Sequence, residues 1–414
     1  MRQTLLACLS ALALSQLPPW PSSYALNRST VLMVCNSSGL TDPESVRGWS
    51  LLFWDWSNGK EIWAAAKPMN AEELLVEQVA RTAAALPDSR SFVYRNAIKA
   101  LPWFSTVRAK LVDPAYAAWF VAFGPPTVNG TGWHVPACDA NYEPPLCSAL
   151  YHDSLQTPGY PTGDGVCAPP ACDVGAVPAG EYVFDMRSVN VSVRGQTLAD
   201  WFVDEYLFSA SGGGNANISG WYLDDYWTTM EPSEMDPHAV QDMGLSPADV
   251  AAMSAAFQWL SEKVYAATLG RGRFSWNQFF DNGVDCIMPL VTKDNCALDL
   301  RTMCTAEAPE QTRAMLYGFS PGSCRGTDVA NLSEPLADVV NFQLIRGAHA
   351  YLGNGWVGCS QSFERSAILD ADFGDPAGLC TETTPGSGVF QRDFAHATVQ
   401  MDCSSWTPSI AWRK

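Results

Sequence analysis

Residues 51–97 read LLFWDWSNGKEIWAAAKPMNAEELLVEQVARTAAALPDSRSFVYRNA, and the change of pattern along them decides the fold class. Leu51 to Trp56 is a compact apolar run that stops at Ser57-Asn58-Gly59, the composition of a strand ending in a turn. A helix is predicted next: Asn70 stands at its cap with Glu73 three residues on, as in a capping box, and Leu75, Val79, Ala83 and Leu86 share one face before Pro87. Ser91 to Ala97, with Phe92-Val93-Tyr94 inside it, is a second strand. Strand, helix and strand in that compass make a parallel βαβ unit.

The pattern returns downstream. Glu181-Tyr182-Val183-Phe184 reads as a strand, followed by a helix capped by Thr197 that carries Trp201, Phe202 and Leu207, a loop at Gly212-Gly213-Gly214, and a strand from Ile218 to Leu223. Ser246 caps another helix with Pro247 in its first turn, and Val250, Met253, Phe257, Leu260 and Val264 recur at three- and four-residue steps. Arg273 to Gln278 is a further strand. Beyond residue 286 or so the signal weakens to strands at Met315–Phe319 and Trp356-Val357 and a helix at Leu336–Ala348.

Such alternation predicts a parallel sheet covered on both faces. No G-x-G-x-x-G or G-x-x-x-x-G-K-[ST] loop follows an early strand, so an α/β fold of the closed (β/α)8 TIM-like barrel type is favoured over an open nucleotide-binding sheet. Residues 125–179 break the rhythm with ten prolines and with Cys138, Cys147, Cys167 and Cys172. They read as a disulfide-stapled loop insertion, either walling a cleft at the C-terminal face of the barrel or forming a decorative cystine-rich subdomain.

The 414 residues are 47% apolar with a net charge of −18, a globular chain; 25 basic against 43 acidic side chains repel phosphate backbones and speak against a nucleic-acid partner. Met1-Arg2, the apolar run Leu5–Leu14 and a Pro/Ser-rich stretch ending Ser23-Tyr24-Ala25 read as a signal peptide over residues 1–25, leaving 26–414 as a single barrel domain. An uncleaved N-terminal anchor is the competing reading. The run is too short to span a bilayer and no later segment is both long and apolar enough, so a secreted protein without a transmembrane segment is expected. Removing Cys8 with the leader leaves an even set of cysteines, expected to pair in a connectivity that sequence does not give. Asn-x-Ser/Thr sequons begin at Asn27, Asn36, Asn129, Asn190, Asn217 and Asn331. His134, Cys138, Cys147 and His152 have the makings of a zinc site, but bridging the nearby cysteines is the preferred reading.

Gly220-Trp221-Tyr222-Leu223-Asp224-Asp225-Tyr226-Trp227 is a buried-type strand that ends in two acids among aromatics. Desolvation and mutual repulsion both penalise two charges there, which points to catalytic use; the bland alternative is a solvated turn or a helix cap. Alternation sets Tyr222, Asp224 and Tyr226 against Trp221, Leu223 and Asp225, and Asp224 is assigned to the cleft with Asp225 bracing it. Other strand ends carry Asp55 between Trp54 and Trp56, Tyr94-Arg95-Asn96, and Trp276-Asn277-Gln278 followed by Asp281. Carboxylates, amides and aromatic platforms at several strand ends suit a carbohydrate substrate. The candidate catalytic residues are therefore Asp224, Asp225, Asp55 and Asp281. The candidate sugar-binding residues are Trp54, Tyr94, Arg95, Asn96, Tyr222, Trp227, Trp276, Asn277 and Gln278. Glu205 and Glu364 are weaker choices for the second carboxyl that glycoside hydrolysis needs.

No Gly-x-Ser-x-Gly elbow or His-Glu-x-x-His site is present, and no cofactor or metal is called for, although clustered acids at Asp224 and Asp225 leave a Ca²⁺ or Mg²⁺ site as a third reading. The run from Gly220 to Asp225 resembles glycoside-hydrolase-like barrel families in which a central strand ends in Asp-Asp. That resemblance implies a barrel and a catalytic Asp at the position of Asp224. The stretch Phe92-Val93-Tyr94-Arg95-Asn96-Ala97-Ile98-Lys99-Ala100-Leu101-Pro102-Trp103-Phe104 is similar to that of secreted, cysteine-rich proteins of algae and other microbial eukaryotes, over most of the mature chain. The expected function is hydrolysis or transfer of glycosidic bonds in an extracellular polysaccharide; the rival is a non-catalytic carbohydrate-binding or cell-surface protein on the same barrel.

Overall fold

The computed structural model describes residues 17–66, 68–122, 150–153, 180–227, 239–277, 288–289, 291–305, 315–318, 335–356 and 365–413. Its centre is an eight-stranded sheet: β1 (Thr30–Val34), β2 (Leu51–Trp54), β3 (Arg90–Asn96), β4 (Ile218–Asp224), β5 (Phe274–Asn277), β6 (Met288–Pro289), β7 (Met315–Gly318) and β8 (Ala350–Trp356). Every neighbouring pair runs parallel, in the order β5-β4-β3-β2-β1-β8-β7-β6. The strands thus follow chain order with the last beside the first, an order compatible with a TIM-like α/β fold. Among the described residues no pairing joins β5 to β6.

β1 and β2 are buried at every position, as a sheet covered on both faces requires. One face is an aromatic core: Phe53 lies 5.2 Å from Phe92, 5.5 Å from Tyr222 and 5.9 Å from Trp276. The other is covered by helices, among them α1 (Ala71–Ala85), α2 (Ser105–Leu111), α3 (Leu198–Trp201, continued as one π-helical stretch Phe202–Leu207), α4 (Pro247–Gly270), α5 (Cys296–Thr305) and α6 (Pro335–Ile345). In α4 the expected capping holds: the Ser246 hydroxyl accepts from the Asp249 amide, Asp249 accepts from the Ser246 amide, and Val250, Met253, Phe257, Leu260 and Val264 are buried. In α1 it does not. Asn70 makes no side-chain cap bond, and the Glu73 carboxylate instead accepts from the Ser105 hydroxyl at 2.5 Å, because α2 packs close to the start of the helix.

Glu181–Val183 is not a strand of the parallel sheet. It pairs antiparallel with Lys99–Ala100 and His152–Asp153 in a three-stranded sheet just beyond the C-terminal end of β3. Sequence reasoning also missed the last unit, an antiparallel sheet of β9 (Thr381–Glu382), β10 (Val389–Asp393), β11 (Ala397–Asp402) and β12 (Thr407–Trp412) packed on α6. Cys296–Cys403 and Cys304–Cys380 tie α5 to this sheet, and Cys35 is disulfide-bonded as well. Among the described residues no helix is long and apolar enough to cross a membrane. Most of the 125–179 insertion, with His134, Cys138 and Cys147, lies outside the described residues. His152, described, is buried with Nδ1 3.1 Å from the Leu150 carbonyl and its ring 5.2 Å from Tyr182.

Candidate functional site

The strand ends on the C-terminal side of β2, β3 and β4 bring two carboxyls and two phenols together. Period-2 alternation carries Phe53 and Asp55 from β2, Phe92, Tyr94 and Asn96 from β3, and Tyr222 and Asp224 from β4 to the aromatic-core face. The Tyr94 hydroxyl donates to Asp224 Oδ2 at 2.7 Å, and the Tyr222 hydroxyl donates to Asp55 Oδ2 at 2.6 Å. The two rings meet edge to face with centroids 5.2 Å apart. Asp224 is therefore held by a phenol from the adjacent strand and Asp55 by one from two strands away, and the two phenols brace each other.

Asp224 is the more open of the two. It is half-buried, its Oδ1 accepts from the Asp225 amide at 3.1 Å, and its carbonyl accepts from the Ala97 amide at 2.9 Å. Asp55 is buried; its Oδ1 accepts from both the amide and the hydroxyl of Ser57. Burial raises the Asp55 carboxyl above its usual range, against the pull of the Ser57 and Tyr222 hydrogen bonds and of Lys60. Burial first, then the adjoining acids, hold the Tyr94 and Tyr222 phenols well above their usual range, so both stay protonated as donors.

Asp225 turns the other way. Its backbone is left-handed, with φ +60°, and its side chain is fully buried. Oδ2 accepts from Asn96 Nδ2 at 2.6 Å and lies 3.3 Å from Lys99 Nζ, which in turn lies 3.1 Å from Glu181 Oε2. Burial opposes the charge on Lys99, yet Glu181, Asp225 and Asp224 together raise its pKa. The ammonium thus lies against the Oδ2 side of the Asp225 carboxylate. Among the described residues no group of three or more His, Cys, Asp or Glu is arranged to hold a metal ion. Asn96 ties the halves together: Nδ2 also donates to the Tyr94 hydroxyl at 2.8 Å, and Oδ1 accepts from the amides of Ile98 and Lys99.

Of the sequence-derived candidates, Asp224, Asp225, Asp55, Tyr94, Asn96 and Tyr222 come together here. Trp276 lies on the same face, 5.8 Å from Tyr351 and next to Phe53 and Phe92, as part of the aromatic floor. Trp54 and Arg95 face the helices. Trp54 is buried, its indole N–H donating to Ser91 Oγ, and Arg95 is fully buried, paired with Glu72 at 3.2 Å, donating to the Tyr94, Tyr206 and Ser211 carbonyls and stacked near Phe104 and Tyr206. Trp227 is buried, its carbonyl accepting from Ser254 of α4. Asn277 ends β5, while Gln278, Asp281 and Glu364 lie outside the described residues. Glu205, partly exposed, pairs with Lys110 on the helical side.

Lys99 and Glu181 were missed. The signal was there: each is a lone charge in an apolar run, Ala97-Ile98-Lys99-Ala100-Leu101 and Glu181-Tyr182-Val183-Phe184, and a charge so placed needs a buried partner. No protein-family profile matches the chain, and no curated protein matches it.

Proposed function

We propose that the protein is a glycoside hydrolase or transglycosidase acting on an extracellular polysaccharide, with Asp224 as the attacking or water-activating carboxylate and Asp55 as the carboxyl that carries the proton. The observation that supports this reading is the crossed pairing of two carboxyls and two phenols, Tyr94 with Asp224 and Tyr222 with Asp55, at the C-terminal strand ends where α/β barrels carry their chemistry. The environments of the acids differ in the sense the reaction needs. Asp224 is half-open at its strand end, whereas Asp55 is buried and its carboxyl raised by that burial, which favours the acid. The aromatic floor of Phe53, Phe92 and Trp276 supplies apolar surface beneath them.

On this reading the sheet closes between β5 and β6 into a (β/α)8 barrel. The chain is secreted, in keeping with its disulfides, and glycosylated at the exposed Asn27, Asn190 and Asn217.

The test is product release from a panel of oligo- and polysaccharides by the wild type and by Asp224→Asn and Asp55→Asn, with folding matched by circular dichroism. Asp224→Asn is expected to lower release by at least about 10³-fold. Asp55→Asn is expected to be as impaired on natural glycosides yet to recover on dinitrophenyl glycosides, whose leaving group needs no proton. Equal release by wild type and Asp224→Asn would overturn the assignment. Saturable glycan binding without product from any form would leave a binding protein on the same strand ends.

A further inference from the structure

The far, N-terminal end of the sheet is filled by residues that the leader reading removes. Pro18 is buried, and Trp20 inserts beside Phe274 and Phe92, with ring centroids at 5.6 and 5.9 Å. Its indole N–H donates to the Tyr351 hydroxyl at 2.8 Å, and the Arg90 guanidinium lies over its ring at 4.9 Å. Arg90, Phe274 and Tyr351 stand at or next to the first residues of β3, β5 and β8, so Trp20 is a floor to the aromatic core, opposite the acid-bearing strand ends.

Residues 23 and 24 complete a second buried structure. Arg346, 1% exposed, donates to the Ser23 carbonyl at 2.7 Å, to the Tyr24 carbonyl at 3.2 Å and to the Ser29 hydroxyl at 2.7 Å, with its guanidinium over the Tyr24 ring. The Ser23 amide donates to the Ala348 carbonyl at 2.9 Å, just before β8. A cut after Ala25 would strip two acceptors and a ring from a buried cation and would open the floor of the core. Both are among the costliest changes a fold can undergo.

We propose that the maturation site lies upstream of Pro18, at the Ser15–Gln16 bond, and that Pro18–Ala25 remains in the mature protein as a structural plug. The sequence offers a leader peptidase its small-x-small pattern there, Ala13-Leu14-Ser15, overlapping the end of the apolar run Leu5–Leu14. Water cleaves the peptide bond, leaving the carboxylate on Ser15 and the free amine on Gln16. The rival pattern at Ser23-Tyr24-Ala25 lies in a segment engaged by Arg346 and Ala348 once the chain has folded.

N-terminal sequencing and intact mass of the protein secreted from a eukaryotic host test the proposed cut directly. A chain beginning at Gln16, open or cyclised to pyroglutamate, is expected, and a chain beginning at Leu26, or an uncut chain beginning at Met1, overturns the proposal. Ser15→Arg is expected to block or move the cut, whereas Ala25→Arg, at an exposed position, is expected to leave it unchanged; the reverse pattern would place the site after Ala25. Thermal unfolding adds an independent readout: Trp20→Ala is expected to lower the midpoint by about 5 °C or more. An unaltered midpoint in that variant, or equal midpoints for chains started at Gln16 and at Leu26, would show that the plug carries no structural role.

Discussion

Lys99 is the residue on which two buried carboxylates depend. With Asp225 at 3.3 Å and Glu181 at 3.1 Å, Lys99→Met leaves two anions in a dry environment without their cation, and a loss of about 3–5 kcal/mol is expected in chemical denaturation. Because its folded pKa is raised above the usual 10.5, this contribution is complete below that value and fades only as pH rises beyond it, so the deficit is expected to be flat from pH 6 to 9. Adding Glu181→Met should restore part of the loss; a double variant no better than the single would show that the pair is not coupled. Asp55 has the opposite consequence near neutrality. A carboxyl whose folded pKa is raised favours the native state most below its usual 3.8, and that advantage drains away as pH climbs through the raised value. The midpoint of Asp55→Asn relative to the wild type is therefore expected to improve as pH rises from 4, and a difference independent of pH would refute the raised carboxyl. The acids and phenols of this cluster were legible because a strand's alternation carries them to one face. The same alternation sets Trp54 opposite Phe53 and Arg95 opposite Tyr94, on the helix-covered face.

At the scale of elements, β4 passes between β3 and β5 only because of one glycine. A Cβ at Gly220 would stand 1.7 Å from the Phe274 carbonyl oxygen, beside the point where the β3–β4 register shifts between Ser91 and Phe92. Gly353 of β8 makes the matching approach to the Val31 carbonyl of β1, one pair before the register shift between Leu32 and Met33, so two strands use the same device. Gly220→Ala is expected to cost at least about 3 kcal/mol and to disorder the strand end that carries Asp224. Gly270→Ala, at the end of α4 with nothing within 4 Å of the added methyl, should be neutral or slightly stabilising. Comparable denaturant midpoints for the two variants would dismiss the close approach. Strands β2 and β3 and helix α4 could be read from sequence because their runs are long enough for period to speak. Glu181–Val183 could not be placed: three apolar residues after a charge fix a strand but not its neighbour, and the partner here is the short extension after β3 rather than the sheet.

For the whole molecule, the C-terminal sheet braces the last strand-helix unit by two independent means. Arg392 of β10, buried, donates to the carbonyls of Gln343, Leu344 and Arg346, the orphan acceptors at the end of α6, and so caps the helix that leads into β8. The bridges Cys296–Cys403 and Cys304–Cys380 hold the same sheet to α5 across 107 and 76 residues of chain. A loop of that size lowers the entropy of the unfolded chain by an amount worth about 4.5–5 kcal/mol in the chain-entropy account. None of this was visible beforehand, since paired cysteines state neither their partners nor what they join, and a lone Arg between Gln391 and Asp393 reads as surface. The cap and the bridges are redundant only for docking, not for stability. Replacing all four cysteines of the two bridges, Cys296→Ser with Cys403→Ser and Cys304→Ser with Cys380→Ser, is expected to lower the denaturant midpoint while limited proteolysis still leaves residues 365–413 attached. Arg392→Gln in that background is expected to release the sheet as a discrete fragment, because four helix-end and loop carbonyls then lose their donor together. Release of the fragment from the cysteine variant alone would mean that the covalent ties, and not the buried arginine, hold the last unit in place.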